Sequence, residues 1–539
     1  MGRAFSSSYF AGEATARPFL PFDFRDAADR QRRTRAAADR RVSDVVIDVL
    51  RAQQAALAPS AARAAALAAL AGGATAVVAT GQQVGVFLGP LYGFYKAASA
   101  VAVARALEAD SGVRCVPLFW LQTEDHDFAE IASVSVATSD GGTLRLALDG
   151  DAETPARASV AGRRLGADVS SLVDRLADAL GASAAANDTV AILRRHYQPH
   201  RSIASAFAGA MAELFADDGL LFLDPRDARV AELAAPIHRR AISAADDLVR
   251  RLQQRSAALA AAGFDEQIPC RPDCALSFFH PDGPQGDRFR LARRSYVPGV
   301  PGAWGLSGRD DIIPPAVLDA ALAREPLRFS TSALLRPILQ DSLLPTVAYV
   351  GGPAEVSYFA QLGPIYDAFE VTAPLVVPRA RFRCIDASTR RRLAALGIGP
   401  DDVGRGHVSA PAASTPALAS TARAQILALV DGLAADAAAV APADRNLARA
   451  AARTRATVAR AVERLTTRAA RTAAVRDDVA VARLARVEAA LCPAGVPQER
   501  AYGWPSLAGR IGPAELKRLV FERLAETGPF TTSLLDLRP

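Results

Sequence analysis

Three short segments of this 539-residue chain carry side chains whose types and spacing could do chemistry. The first is TGQQVGVFLGPLYGFYK, Thr80–Lys96, where glycines and a proline separate an apolar run from a helical pattern. A strand that passes through glycines into a helix lets backbone N–H groups approach an anion, and a helix N-terminus favours negative charge. The spacing fits neither GxGxxG nor GxxxxGK[ST], so a tight strand–helix turn without a ligand is the competing reading. Lys96 falls about two turns into the helix, within reach of a phosphate or carboxylate at the edge of a sheet. A solvated lysine is the plain alternative.

The second segment is TEDHD, Thr123–Asp127, directly after an apolar strand pattern. Three acids around one histidine could do acid–base work, hold a ribose or an amino group, or carry Mg²⁺. Adjacent acids point in different directions, so one or two of the four are expected to act; a solvated loop with a capping Asp is the alternative. The third is YVGGPAEVSYF, Tyr349–Phe359. Pro353 suits a first helical turn, and Glu355 within that turn either meets substrate or stabilises the helix dipole. Just upstream, LLRPILQD supplies Asp341 and Arg336, whose guanidinium could grip a carboxylate or phosphate or form a structural salt bridge.

Other candidates carry less. Cys270 and Cys274 with His280 lack a fourth zinc ligand at a reasonable spacing, and no metal site is expected. His196 and His200 stand at i, i+4, but Pro199 intervenes. No GxSxG, HExxH or Cys/His nucleophile pattern is present.

The elements that must position these residues follow from periodicity. ATAVVAT (74–80) and VRCVPLFWL (113–121) are short apolar runs bounded by glycine or polar residues, and LYGFYKAASAVAVARALEA (91–109) is helical between them. Strand, turn, helix, strand is a βαβ unit, hence a parallel sheet with right-handed crossover. It places the first two segments side by side at the carboxyl ends of neighbouring strands, where α/β sheets bind ligands. A hairpin is expected around 140–142, a strand at 220–224, one long helix over 227–262, and an inserted subdomain over 264–310 with strands at 276–280 and 288–292. Strand character returns at 346–352 and 374–378, with a helix from about Ala354 to Phe369. Residues 404–421 read as a linker. Residues 444–491 lack Pro and Gly and space Val458, Val462, Leu465, Ala469, Thr472 and Val479 by threes and fours. That pattern predicts a helix of about 70 Å, too long for a compact core, paired in cis or in a dimer.

Composition excludes some classes. Half the residues are apolar and 22% are charged, so the chain is neither disordered nor short of core material. The net charge is +6, but all but two of the 63 basic residues are arginine, a pattern that suits GC-rich coding as well as nucleic-acid binding. Glycines and the pair Gln82–Gln83 break up the longest uncharged stretch, so no membrane span is expected. The N-terminus lacks an apolar leader pattern. Five cysteines make no disulfide framework, which points to a reducing cytoplasm.

Read in order, TGQQVGVFLGPLYGFYKA, VPLFWLQTEDHDFAEI, LLRPILQDSLLPTVAYVGGPAEVSYFAQL and PAGVPQER resemble the bacillithiol-biosynthesis cysteine ligase family, BshC, from about residue 74 to 500. The resemblance implies a Rossmann-type α/β core like that of class I aminoacyl-tRNA synthetases, a connective insertion and a C-terminal α-helical coiled coil that dimerises. The organisation expected is core over 1–225 and 328–400, insertion over 226–327, linker and coiled coil over 401–491, and a tail over 492–539 packing on the core. The implied reaction joins the carboxyl of cysteine to the amine of glucosaminyl-malate, the last step of bacillithiol synthesis. Thr80, Gly81, Gln82, Gln83, Gly89, Pro90 and Lys96 match the family's first motif. Glu124, Asp125, His126 and Asp127 match the second, and Gly351, Gly352, Pro353 and Glu355 the third. The histidine-bearing loop of the synthetases has no counterpart at 80–96.

The expectation is therefore an amide-forming ligase that uses ATP or another nucleotide, with Mg²⁺ left open. Loop 80–90 and the helix after it would cradle an anion. Lys96 would neutralise developing charge, and Asp125 or Glu124 would hold the cysteine ammonium or a ribose. His126 would take the proton of the attacking amine, with Arg336, Gly351, Gly352 and Glu355 lining the opposite wall. Partners would be the two small substrates and a second copy of the chain, with no nucleic acid and no membrane. A non-catalytic nucleotide- or thiol-binding dimer that organises the pathway enzymes is the alternative.

Overall fold

The computed structural model describes residues 3–139, 141–150, 154–294, 297–403, 416–440, 445–474 and 478–539. Contacts divide the chain into two units. One comprises residues up to Ser139, Thr143–Phe382 and Tyr502–Leu537; the other is centred on Arg383–Ala501.

The first unit is built on β1 (Thr75–Gln82), α1 (Leu91–Ser111), β2 (Arg114–Leu121) and β3 (Leu221–Leu223). All but the ends of these strands are buried on both faces, which is why they read as continuous apolar runs. The helix α1 ends at Gly112, which takes the left-handed conformation that closes a helix (φ 72°). An inserted antiparallel sheet follows, made of β4 (Cys274–Phe279), β5 (Phe289–Arg293), β6 (Trp304–Leu306) and β7 (Phe329–Thr331), in the order β6-β5-β4-β7. Its own core includes Phe279, Leu291, Trp304 and Phe329. The chain then returns to the parallel sheet with β8 (Thr346–Gly351), α2 (Pro353–Phe359) and β9 (Leu375–Pro378).

The parallel sheet has the order β9-β8-β1-β2-β3. The chain works outward from β1 through β2 to β3, then resumes on the other side of β1 with β8. The order reverses between β1 and β8, so a ligand crevice is expected beyond their carboxyl ends. Register places Thr80 opposite Val350 on one side and Phe119 on the other, which aligns the three strand ends.

Two helices differ from the pattern in the sequence. The one expected over 227–262 is two, Ala228–Ser243 and Ala245–Ala261, because Ala244 leaves helical geometry (ψ 16°). The one expected over 354–369 is α2 plus Gly363–Phe369, interrupted before Gly363–Pro364, where the proline starts a new helix. The expected hairpin forms from Ser133–Ala137 and Thr143–Ala147.

In the second unit, α3 (Pro416–Val440) and α4 (Arg445–Ala474) pack side by side, with Arg455 on Asp431 at 2.5 Å. The cis partner for the long helix is thus a segment whose first residues read as linker; Pro416 opens the helix rather than extending the loop. The rest of the linker, 404–415, lies outside the described residues, as do 475–477 between α4 and α5 (Asp478–Leu491) and the side chains of Ala469, Thr472 and Val479. Helix α5 packs on Ala387–Leu396 through Val487, Leu491, Leu393 and Leu396.

Candidate functional site

The three motifs meet along the carboxyl edge of β8, β1 and β2, but in two clusters of different character. At the switch point, α1 carries Lys96 back toward the end of β1. Its Nζ donates to Gly81 O at 2.8 Å and Gln82 Oε1 at 2.9 Å, and pairs with Glu355 Oε2 at 2.5 Å. An ammonium has three N–H bonds, so Lys96 is fully committed within the protein. Glu355 also accepts from Gly352 N at 2.7 Å and from Tyr349 OH at 2.5 Å. Tyr349 OH in turn accepts from Arg336, whose other bonds run to Tyr358 OH and Gln340 Oε1.

The network is a chain: Lys96, Glu355, Tyr349, Arg336, Tyr358. Lys96 and Arg336 are buried. Burial lowers the Lys96 pKa despite the carboxylate beside it. Burial alone would raise the Glu355 carboxyl, but Lys96 and the two hydrogen bonds outweigh it and hold it below its usual range. Thr80 donates to Val350 O at 2.8 Å and ties β1 to β8. Gly81 is required by packing, since a Cβ there would stand 2.9 Å from Trp120 O.

The turn 84–90 is not an open cradle. Val84, Val86, Phe87 and Leu88 are buried, and Phe87, Leu88 and Gly89 all have positive φ. Tyr197 OH holds the turn by accepting from Leu88 N at 2.9 Å and donating to Gly85 O at 3.1 Å. The start of α1 is closed as well, because Leu91 N donates to Tyr502 O and Pro90 pairs with Gly503. Gly89 and Pro90 therefore face the protein's own C-terminal segment, not the crevice.

The second cluster lies beyond β2. Gln83 Nε2 donates to Asp125 Oδ2 at 2.8 Å and to Glu130 Oε2 at 2.8 Å, so the first and second motifs are joined directly. Asp125 Oδ1 accepts from His126 N at 2.7 Å. Burial would raise the Asp125 carboxyl, but His126, Arg288 and Gln83 hold it well below the usual carboxylate range. Asp125 and His126 remain about one quarter exposed. Neighbouring Glu124 is buried. Thr331 donates to it from both its backbone N and its hydroxyl, and burial pushes the carboxyl up. Glu124 thus clamps β7 of the insertion to the end of β2. Asp127 is exposed and caps the helix Phe128–Ile131, accepting from Glu130 N.

Four residues here escape sequence reasoning. Arg288, on the insertion, donates from Nε to Ser330 Oγ at 2.8 Å, from Nη2 to Thr331 O at 2.6 Å and from Nη1 to His126 Nδ1 at 3.1 Å. It stacks 3.6 Å over the Phe278 ring, and burial brings its pKa down to about 10. Asp224, at the end of β3, accepts from Thr123 Oγ1 at 2.5 Å. Arg226 donates to Leu327 O, Phe329 O and Pro284 O. Arg379 is buried near Tyr92, with Gly352 packed against it. Among so many arginines, no one of them is marked by type.

The structure does not bring Cys270, Cys274 and His280 together as ligands. His280 Nδ1 lies 2.9 Å from Gly286 O, and burial drives its pKa to about 3. Among the described residues no group of three His, Cys, Asp or Glu is placed to hold a metal, and no helix is long and apolar enough to cross a membrane.

The sequence matches the family model "Bacillithiol biosynthesis BshC, N-terminal Rossmann-like domain" over residues 2–380. Residues 414–532 match "Bacillithiol biosynthesis BshC, C-terminal coiled-coil domain". Similar curated proteins include one from Koribacter versatilis, 34% identical over 451 residues, which cover 82% of this chain and 80% of that protein. Another, from Salinibacter ruber, is 32% identical over 450 residues, with the same coverage. A third, from Natranaerobius thermophilus, is 29% identical over 335 residues, 61% of this chain and 58% of its own. Each is named "Putative cysteine ligase BshC".

Proposed function

The chain belongs to the bacillithiol-biosynthesis BshC family, and on that premise we propose that it is a cysteine ligase, joining the carboxyl of cysteine to the amine of glucosaminyl-malate. The observation that carries the location is the Gln83–Asp125 hydrogen bond. It draws half-exposed polar side chains from the ends of two adjacent parallel strands onto one edge, beside the switch point. Gln82, Gln83, Tyr92, Asp125, His126 and Glu355 are partly open to solvent there. Asp125, held ionised, is suited to the ammonium of cysteine or a sugar hydroxyl.

Lys96 and Arg336 have different work. With every N–H of Lys96 spent on Gly81, Gln82 and Glu355, it orients Gln82 and Glu355 and sets the field of the crevice rather than gripping substrate. Gly351 and Gly352 keep the backbone close to Tyr349, Glu355 and Arg379.

An amide cannot form readily from a free carboxylate at neutral pH, so the reaction calls for an activated acyl group, with ATP as the simplest co-substrate. The turn 84–90 and the helix start do not fit a phosphate, because the turn is buried, Tyr197 takes Leu88 N and Tyr502 O takes Leu91 N. That turn is therefore not where a nucleotide would bind. The setting proposed is the cytoplasm.

We propose a homodimer through the second unit. Helix α3 exposes Ile426, Leu429, Leu433 and Val440 at heptad spacing, a stripe that α4 leaves open. Leu429→Glu with Leu433→Glu should convert a dimer to a monomer by light scattering; an unchanged mass overturns this.

The ligase test is mass spectrometry of purified protein with cysteine, glucosaminyl-malate and Mg²⁺, with and without ATP. ATP-dependent bacillithiol, with AMP or ADP alongside, is expected. No product from folded protein under any condition overturns the catalytic reading in favour of a non-catalytic binding dimer.

A further inference from the structure

Among the described residues His126 is the one histidine of the crevice, and its neighbours constrain which ring nitrogen carries the proton. Two groups compete for Nδ1. Asp125 Oδ1 lies 3.5 Å away and could only accept from it. Arg288 Nη1 lies 3.1 Å away and can only donate to it.

The aspartate is the weaker competitor. Its Oδ1 already takes the backbone N–H of His126 at 2.7 Å, and its Oδ2 takes Gln83. The arginine is pinned: Nε and Nη2 are fixed on Ser330 and Thr331, and the plane rests on Phe278. Nη1 therefore cannot turn away without breaking a buried hydrogen-bond pair. A neutral imidazole has one N–H and one bare nitrogen. If Nδ1 accepts from Arg288, Nδ1 is bare and the proton sits on Nε2.

We infer that Arg288 is a positioning residue that holds His126 as the Nε2–H tautomer, so that His126 offers substrate a hydrogen-bond donor rather than a proton acceptor. The role expected from sequence, taking a proton from the amine, would need a bare Nε2. That form requires Nδ1–H, which would point at an arginine N–H. An Nε2–H donor at the carboxyl edge of β2 suits an oxygen that gains negative charge during acyl transfer. The inserted sheet thus contributes to the crevice through one side chain, 162 residues along the chain from the histidine it orients. Only the identity of the accepting oxygen rests on the ligase reading; the tautomer does not.

The test is long-range ¹H–¹⁵N correlation on full-length protein labelled at histidine nitrogen, at mildly alkaline pH, with His126→Gln assigning the resonance. The expected wild-type signal is a protonated-type Nε2 and a bare-type Nδ1. A protonated Nδ1 in the wild type overturns the proposal. In Arg288→Gln the competition passes to Asp125, and the signal should move toward Nδ1–H; an unchanged tautomer also overturns it. Arg288→Lys, which keeps a cationic donor, should restore the wild-type tautomer at least in part, and failure to do so counts against the arginine's role. In the ligase assay, His126→Gln keeps an N–H near Nε2 and should retain at least tenfold more turnover than His126→Ala; equal losses would restore the proton-acceptor role. Absence of turnover in the wild type would sink the ligase reading and leave the tautomer result standing.

Discussion

The two clusters on the carboxyl edge hold similar residue types and differ in what is left over. Around Lys96, Glu355, Tyr349 and Arg336 the main donors and acceptors are spent on one another, and both cations are buried. Around Asp125, His126 and Gln83 the side chains are partly solvated, and the buried charges beneath them, Glu124 and Arg288, are the ones that are spent. A closed ionic chain shapes a site; a half-open one can meet a ligand. Residue type alone would have ranked the lysine first.

The largest effect is expected at the closed cluster. Lys96→Met leaves Glu355 without its cation and should cost about 3–5 kcal/mol in chemical denaturation, while Lys96→Met with Glu355→Leu should recover much of it. A single variant as stable as the wild type would mean that Lys96 is not buried and committed to Glu355 as described. At the open cluster the effect should appear in turnover. Asp125→Asn should slow ligation tenfold or more, about 1.4 kcal/mol in barrier, and shift the melting temperature by only a few degrees. A loss of folding with no loss in specific activity would assign Asp125 to structure.

The smallest and most diagnostic effect is in pH dependence, because neighbouring carboxyls have opposite linkage. Asp125 is held below its usual value, so the folded state sheds its proton more readily than the unfolded chain. Its contribution is present above the unfolded value of about 4 and is lost as pH falls through that value toward the folded one. The stability gap between wild type and Asp125→Asn should therefore narrow in acid. Glu124 is pushed up by burial. Its folded form keeps the proton longer than the unfolded chain, so stability falls as pH climbs from about 4 toward the folded value. Glu124→Gln should gain on the wild type over that climb. Parallel pH profiles for the two variants would show that burial does not separate the two residues.

Much of the frame was readable from local pattern. Strands β1, β2, β8 and β9 are continuous apolar runs, and α1 runs two residues beyond the helical pattern read at 91–109. The break at Ala244 was not, because an alanine inside a helical pattern carries no local mark; the break at Gly363–Pro364 does carry one, but the apolar pattern continues across it. Helix α3 was hidden for a similar reason: Ala- and Ser-rich sequence after a proline suits a linker until a second helix covers one face.

The motifs were likewise readable, but their roles were not. Sequence by itself determined that Gln82, Lys96, Asp125 and His126 come to one edge of a parallel sheet, because strand, turn and helix periodicity is local and a βαβ unit has one hand; Glu355 joins them only because β8 pairs with β1 across the insertion. Which of them remain free was decided only in three dimensions. Glu124 is closed by Thr331, 207 residues away, the helix start by Tyr502, and the Nδ1 face of His126 by Arg288. Those partners come from remote elements whose arginines, threonines and tyrosines carry no local mark. A hydrogen bond is satisfied by whatever donor or acceptor the packed fold delivers, and that delivery is a property of the fold.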